Sequence, residues 1–313
     1  MLSFIALGVA AAGLGACVSS AAYTSRIEAK YPAAGQLIDV DGNAVHVLTA
    51  GETGTPVLMI HGASANAREF TWTLAPRLSA QHRILMADRP GHGHSERFSG
   101  AAALGAQAAS MASVLDQLAP GEKAVLVGHS FGGAVALRVA LDHPDRVKGL
   151  VLLAPVTHDW GGDGQTWYNS VAVTPLIGHM FSQLAPSVGP KQVGKGIEGV
   201  FEPADAPPAY LEQSAIDLLF RPPNFRANAQ DVSRLNEELR AQSARYDALD
   251  IPITVFSGEK DTVISPPLHV GRLAQQVPVT VVELAEEGHM PHHAHGDAVA
   301  EVIRALASSE IIR

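Results

Sequence analysis

Three residues far apart in the chain have the types that nucleophilic acyl chemistry requires. They are Ser130 in Gly128-His129-Ser130-Phe131-Gly132-Gly133, Asp261 in Ser257-Gly258-Glu259-Lys260-Asp261, and His289 in Gly288-His289. A serine hydroxyl that keeps its proton attacks poorly. It needs a neutral base within hydrogen-bond reach, and that base needs a carboxylate to hold its tautomer and stabilise the imidazolium. Attack on an acyl carbon also creates an oxyanion, which needs N–H donors already aimed at it. Phe131 follows the serine directly, and His61-Gly62-Ala63 ends another apolar run. The amides of Ala63 and Phe131 are therefore the expected donors.

These residues must be positioned by the elements around them. Ala124-Val125-Leu126-Val127 reads as a strand, and Ala134 to Leu141 as a helix. A strand, a Gly-bounded turn carrying a serine, and a helix make a nucleophile elbow. The turn strains its central residue, so positions two residues away must be small. Asp261 and His289 each directly follow a predicted strand, Ile251–Ser257 and Val279–Leu284. Further strands are expected at 36–40, 44–49, 57–60, 83–87 and 146–154, with helices at 68–78, 101–118, 268–276 and 297–307. Asp41-Gly42 signals a hairpin between the first two strands. The buried-type strands that alternate with helices imply right-handed crossovers and a mostly parallel sheet flanked by helices. About 95 residues after Pro155 lack an apolar strand run, too long a connection for a bare loop. They read as a helical cap inserted over the sheet edge. Residues 1–22 then form an N-terminal segment, 23–155 and 249–313 the two parts of an α/β core, and 156–248 the cap.

The chain has 313 residues and a net charge of −9. That charge argues against a general nucleic-acid binder, which needs a basic surface. The one cysteine, Cys17, excludes an internal disulfide and a cysteine-based zinc site. Met1 to Ser20 carries no charged side chain. Leu14-Gly15-Ala16-Cys17 resembles a lipobox, which would make Cys17 a lipidated residue. An uncleaved anchor and a cleaved signal peptide are the alternatives. Each places the protein at a membrane or in the cell envelope, except that the few charges at Arg26, Glu28 and Lys30 do not fix its sidedness. Tyr23 to Ala34 reads as a short linker.

The complete set of motifs, in order, resembles the α/β-hydrolase superfamily over about residues 37 to 308. His61-Gly62-Ala63 is similar to its oxyanion motif, and Asp88-Arg89-Pro90-Gly91-His92-Gly93-His94-Ser95 to its D-x-x-G-x-G-x-S segment. The resemblance implies a Ser130/His289/Asp261 triad, an Ala63/Phe131 oxyanion hole and a small acyl substrate, with no cofactor. A serine rather than an aspartate at the elbow disfavours dehalogenation and epoxide opening. It implies a carboxylesterase of small or medium apolar esters. The alternatives are hydrolysis of a carbon–carbon bond in a ring-cleavage product, with Arg221 and Arg226 as carboxylate binders, or a non-catalytic member of the fold. Asp159 is the alternative acid. His129 is expected to pack or hydrogen-bond rather than catalyse, and Asp88, Arg89 and His92 to brace their loop. His46 reads as a strand-surface residue. His292, His293 and His295 read as loop and helix-start residues, and no metal is expected.

Overall fold

The computed structural model describes residues 2–161 and 166–309, with side chains from residue 13 onward. Met1 and the side chains of the apolar run Phe4–Ala10 lie outside the described residues. Eight strands form one sheet: β1 (Gln36–Val40), β2 (Asn43–Ala50), β3 (Pro56–Ile60), β4 (Arg83–Ala87), β5 (Ala124–His129), β6 (Val147–Leu153), β7 (Ile253–Gly258) and β8 (Thr280–Leu284). Their spatial order is β1-β2-β4-β3-β5-β6-β7-β8. Only β2 runs antiparallel to its neighbours. β3 to β8 pair in parallel, so their C-terminal ends share one edge.

Alternation along the strands builds a core on each face of the sheet. Leu58 and Ile60 of β3 join Leu126 of β5 and Leu152 of β6 on one face. Val57 and Met59, Val125 and Val127, and Val151 and Leu153 form the other. Helices α3 (Leu104–Leu118) and α4 (Phe131–Asp142) pack on the first face. Helices α2 (Ala75–Leu78) and α12 (Gly296–Ser308) cover the second. The expected single helix over 68–78 is broken. A 3₁₀ turn spans Ala67–Phe70, capped by Asn66 Oδ1 accepting from Arg68 N at 3.0 Å. Pro76, lacking an N–H, then stands in the first turn of α2.

Between β6 and β7 lie α5 (Trp167–Ala172), α6 (Ile177–Ser182), α7 (Ala185–Phe201), α8 (Tyr210–Gln213) and α9 (Pro222–Ser243). They form the inserted cap. It meets the core where Ile197, Phe201 and Tyr210 pack on Met290 and Trp72.

The N-terminal region departs from expectation. Residues 23–30 are not a linker but the end of a long helix, α1 (Leu2–Lys30). Tyr23, Ile27 and Tyr31 recur every four residues and so share one helical face. That face is buried against Ala215, Leu218 and Phe220 of the cap, and Ser20 is buried beside it. Tyr23 Oη donates to Asp217 O at 3.0 Å, and Arg221 pairs with Glu28 at 2.8 Å. A three-residue apolar stripe diluted by Arg26, Glu28 and Lys30 looks like a polar tether until the cap supplies its partner. Among the described residues, no helix is long and apolar enough to cross a membrane.

Candidate active site

The elbow follows from three glycines that tolerate no side chain. A Cβ on Gly128 would lie 2.5 Å from Gly132 O. One on Gly132 would lie 2.0 Å from Ile60 O, and one on Gly133 2.7 Å from Pro155 Cβ. The chain can therefore reverse from β5 into α4 within one residue. Ser130 takes the strain, with φ 51° and ψ −115°. A non-glycine residue held there costs about 1–3 kcal/mol, offset by the surrounding packing. Ser130 N–H donates to Leu153 O at 2.9 Å, and Ser130 O accepts from Val156 N at 3.1 Å, so the turn is tied to β6.

Asp261 follows β7 and His289 follows β8, at the same sheet edge as Ser130. His289 Nδ1 lies 2.7 Å from Asp261 Oδ2. A carboxylate only accepts, so Nδ1 carries the proton and Nε2 keeps the basic lone pair. Asp261 Oδ1 accepts from Val263 N at 2.8 Å and Ile264 N at 3.0 Å, which fixes the plane of the carboxylate. Asp159, the alternative acid, is bound by Arg240 at 3.0 Å on the surface. His129 does not face solvent; its Nε2–H donates to His289 O at 2.9 Å and anchors the backbone of the histidine loop. Burial, with His292 and His289 nearby, holds its pKa well below the ordinary value, so it is neutral.

The loop after β3 lies against the serine. A Cβ on Gly62 would come within 3.2 Å of Ser130 Cβ and 3.1 Å of His129 Nδ1. Arg89, fully buried, grips this loop from behind. Its Nε donates to His61 O at 3.1 Å and its Nη2 to Gly62 O at 3.0 Å. Its Nη1 donates to Gln107 Oε1 at 2.9 Å and to Asp231 Oδ2 of α9 at 2.7 Å. The guanidinium also lies 4.2 Å over the Phe131 ring. His61 adds a second hold. Arg89 N–H donates to His61 Nε2 at 3.0 Å, so the other nitrogen, Nδ1, carries the proton and donates to Gly62 O at 2.8 Å. Burial, then the Arg89 charge, pushes His61 down to about 3. It is therefore this neutral tautomer at physiological pH. The C=O and N–H of a trans peptide point to opposite sides. Two donors on Gly62 O thus turn the Ala63 N–H away from Arg89. The Phe131 N–H stands in the first turn of α4, where helix amides lack intrahelical partners.

The D-x-x-G-x-G-x-S segment is a brace. Asp88 Oδ1 accepts from Ala67 N at 2.7 Å, and Oδ2 accepts from His94 N at 2.8 Å. Gly93 must be glycine, because a Cβ there would strike the Asp88 carboxylate at 2.0 Å. Ser95 Oγ donates to Asp88 O and accepts from His46 N. His46 corrects the expectation of a surface residue. It is buried, with Nδ1 at 2.7 Å from Asp88 Oδ2 and Nε2 against Ala34 O. Both partners accept, so both nitrogens carry protons. Burial opposes that charge, but Asp88 and Ala34 outweigh it and raise the pKa.

Arg221 also differs from expectation. It does not face a substrate carboxylate; it is buried between Glu28 of α1 and the carbonyl of Gly93. Its early signal, a basic residue in the cap, could not reveal these partners, which come from distant segments.

His292 and His293 are more than helix-start residues. Both Nε2 atoms point at Glu69 Oε1, at 3.0 and 2.6 Å, while Tyr210 Oη donates to Oε2 at 2.9 Å. Glu69, His292 and His293 offer donor atoms within 4.8 Å of one another, the spacing of a possible cation site. Burial would raise the Glu69 pKa, yet the imidazole hydrogen bonds hold it well below the ordinary carboxylate range. Burial pushes His292 down to about 4. A carboxylate with donors from His292, His293 and Tyr210 is satisfied without an ion. Sequence reading had no access to this cluster, since Glu69 is 223 residues away from His292. His295 pairs with Glu287 at 3.1 Å near the surface. Cys17 is exposed on α1.

A sequence profile of the alpha/beta hydrolase family matches residues 57–302. The chain is 30% identical over 252 residues to the dihydrolipoyllysine-residue acetyltransferase component of the acetoin cleaving system of Pseudomonas putida. That match covers 77% of this chain but only 60% of the relative's length. It is 26% identical over 259 residues to the pimeloyl-[acyl-carrier protein] methyl ester esterase of Shewanella oneidensis, covering 80% of this chain and 90% of that one. Among solved structures, an esterase from Exiguobacterium antarcticum superposes with a TM-score of 0.66 at 21% identity, covering 87% of this chain and 98% of that one. The extent of the profile match, over the sheet that carries Ser130, Asp261 and His289, makes this chain a member of the alpha/beta hydrolase family.

Proposed function

We propose that the protein is a serine hydrolase that cleaves carboxylic esters of small or medium apolar acyl groups. The observation that carries this reading is the 2.7 Å contact between His289 Nδ1 and Asp261 Oδ2, beside a strained serine elbow. It leaves His289 Nε2 as the base. In the proposed reaction Nε2 takes the Ser130 proton as Oγ attacks the ester carbonyl. The Ala63 and Phe131 amides receive the oxyanion. His289 then returns the proton to the leaving alkoxide, and an acyl-enzyme forms. Water activated by the same Nε2 releases the acid. Asp261 keeps the imidazole in its tautomer and stabilises the transient imidazolium. The relatives include ester-cleaving enzymes and a 2-hydroxy-6-oxononadienedioate/2-hydroxy-6-oxononatrienedioate hydrolase. What favours the ester class is the loss of Arg221 to Glu28, which removes one candidate for binding a ring-cleavage carboxylate.

A fluorophosphonate probe tests the proposal. Labelling of the folded protein, lost in Ser130→Ala, is the expected result, together with turnover of short-chain and medium-chain esters. A folded wild-type protein that resists the probe would remove the serine-hydrolase reading. Turnover of ring-cleavage dienones without ester cleavage would shift it to carbon–carbon hydrolysis. The same proposal places the protein at the cell envelope through its uncharged N-terminus. Intact mass of the native protein reads whether Cys17 carries acyl chains.

A further inference from the structure

The cap carries an apolar stripe that nothing in the described fold covers. Leu176, Ile177, Met180, Leu184 and Val188 are all exposed, Leu176 by 80% and Met180 by 64%. Leu176 and Met180 are four residues apart at α6, and Leu184 and Val188 four apart at the start of α7, so each pair lies on one side of its own helix. The stripe runs from α6 into α7. Trp167, 71% exposed, stands on the neighbouring α5 and touches Phe181 of α6 edge-on. Single exposed apolar residues need no explanation, but a connected run of large ones marks an interaction surface.

Charge distinguishes what could cover it. From Thr166 to Ile197 the chain has no Asp or Glu and two lysines, Lys191 and Lys195, in a protein whose net charge is −9. Both lysines are exposed and continue along α7 just beyond Val188. An apolar strip that ends in lysines, with an exposed tryptophan at its margin, has the chemistry of an interfacial helix at an anionic bilayer. The second independent feature is α1. Its first 20 residues carry no charge, and its far end packs beside α7, with Val193 of α7 against the cluster around Tyr23 and Ile27. Leu14 and Val18 of that helix are also exposed.

We infer that the α6–α7 face of the cap is a second membrane contact, which seats the protein on an anionic lipid surface alongside α1. The logic is that of paired signals. One apolar element gives marginal, reversible attachment to a bilayer, whereas two elements held in one rigid body give stable attachment. The docking of Tyr23, Ile27 and Tyr31 ties the C-terminal part of α1 to the cap that carries the stripe. This arrangement seats the protein on the bilayer through its surface and does not require a spanning helix.

The test uses the full chain and sedimentation with vesicles of phosphatidylcholine, with or without phosphatidylglycerol. Wild type should bind, more strongly with phosphatidylglycerol, and its tryptophan emission should shift to the blue on binding, a shift that Trp167→Phe should remove. The double variant Ile177→Glu/Met180→Glu should lower vesicle partition about tenfold or more. Lys191→Glu/Lys195→Glu should remove only the phosphatidylglycerol-dependent part. All substituted positions are exposed, so circular dichroism and melting temperature should match wild type. Binding is read without turnover, so the outcome does not depend on the chemistry at Ser130. Three results would each overturn the inference. They are no vesicle binding by wild type, undiminished binding by the Ile177/Met180 variant, and a wild-type dimer that the same variant converts to a monomer. The first two leave the face without a lipid role, and the third assigns it to a second copy of the chain.

Discussion

Replacing Arg89 with lysine separates the positioning of the oxyanion loop from the bulk stability of the core. The guanidinium meets its partners along separate edges: His61 O and Gly62 O through Nε and Nη2, Gln107 and Asp231 through Nη1. Lysine keeps the charge but has one nitrogen. It can stay near Asp231 or reach the carbonyls, and it cannot serve both edges. The Asp231 ion pair is fully buried, so the ammonium should remain with it. Gly62 O then loses its strongest donor and is held by His61 Nδ1 alone. The Gly62–Ala63 peptide is then held by one donor instead of two and can tilt.

Two magnitudes follow. Losing two charge-assisted hydrogen bonds should cost about 3–6 kcal/mol of stability if no water replaces them, and about 2 kcal/mol if one does. A misaligned oxyanion donor should cost about 2.7–4 kcal/mol in the transition state, or about 10²–10³ in kcat. KM should change little, because the donor acts on charge that develops only during reaction. The assay is steady-state ester hydrolysis with urea unfolding of the same sample. Gln107→Leu is the control. It removes a partner at the far edge, so it should lower stability while sparing kcat. A folded Arg89→Lys protein with wild-type kcat would refute the claim that Arg89 sets the Ala63 amide. Equal losses of kcat in both variants would reduce Arg89 to a general core residue.

Two further outcomes are expected. Asp261→Asn should lower kcat by about 10⁴, since an amide N–H facing Nδ1 would leave the proton on Nε2, and ester turnover measures it. Acid should destabilise the fold earlier than carboxylate titration alone would. Burial, helped at His61 by the Arg89 charge, pushes His61 down to about 3 and His292 and His269 to about 4, so the unfolded chain binds more protons below about pH 6.5. At pH 5.5 each should cost about 1.4 kcal/mol relative to neutral pH, about 4 kcal/mol together. The raised pKa of His46 opposes this with stability that is present in acid and lost as pH rises through its folded value. Urea midpoints at pH 7.5 and 5.5 measure the balance, and an unchanged or higher midpoint at pH 5.5 would contradict it.

The sheet was legible in the sequence because its signals are local. Val57-Leu58-Met59-Ile60 and Ala124–Val127 are apolar throughout, as strands buried on both faces must be. The elbow was legible because its glycines cluster around Ser130 in sequence, although only Gly128 is demanded locally, by Gly132 and Gly133, while Gly132 is demanded by Ile60 and Gly133 by Pro155. His289 and Asp261 were expected from their positions after strands, and the structure brings the two together at 2.7 Å. What escaped were contacts between segments. His46 looks like any polar residue in a two-stranded hairpin, and only the Asp88 loop reveals the partner that lets it be buried. Arg221 looks like a ligand-binding residue in a cap until Glu28 arrives from α1. The α1 stripe itself has only three apolar anchors in nine residues, and a stripe that thin has no meaning without its partner surface.

The residues whose partners escaped the sequence share a function with Asp88, Arg89 and His129, which were expected to brace or to hydrogen-bond: they fix loops relative to one another. Every loop that would touch substrate is irregular backbone at the sheet edge, and irregular backbone needs its polar groups satisfied from elsewhere. Asp88 holds the turn after β3 through Ala67 N, and Arg89 holds the peptides of His61 and Gly62. His129 holds the backbone of His289, and Glu69 clamps the following helix α11 (Pro291–Ala294) through His292 and His293. Asp231 and Tyr210 extend the same scheme into the cap, through Arg89 and Glu69 respectively. The cap and the loops of the candidate site are therefore joined by buried charge rather than by apolar packing alone. Such pairs add little net stability over a hydrophobic contact, but removing one partner strands the other charge. Geometry of this kind tolerates few intermediate arrangements, which is what an oxyanion site needs from the scaffold behind it.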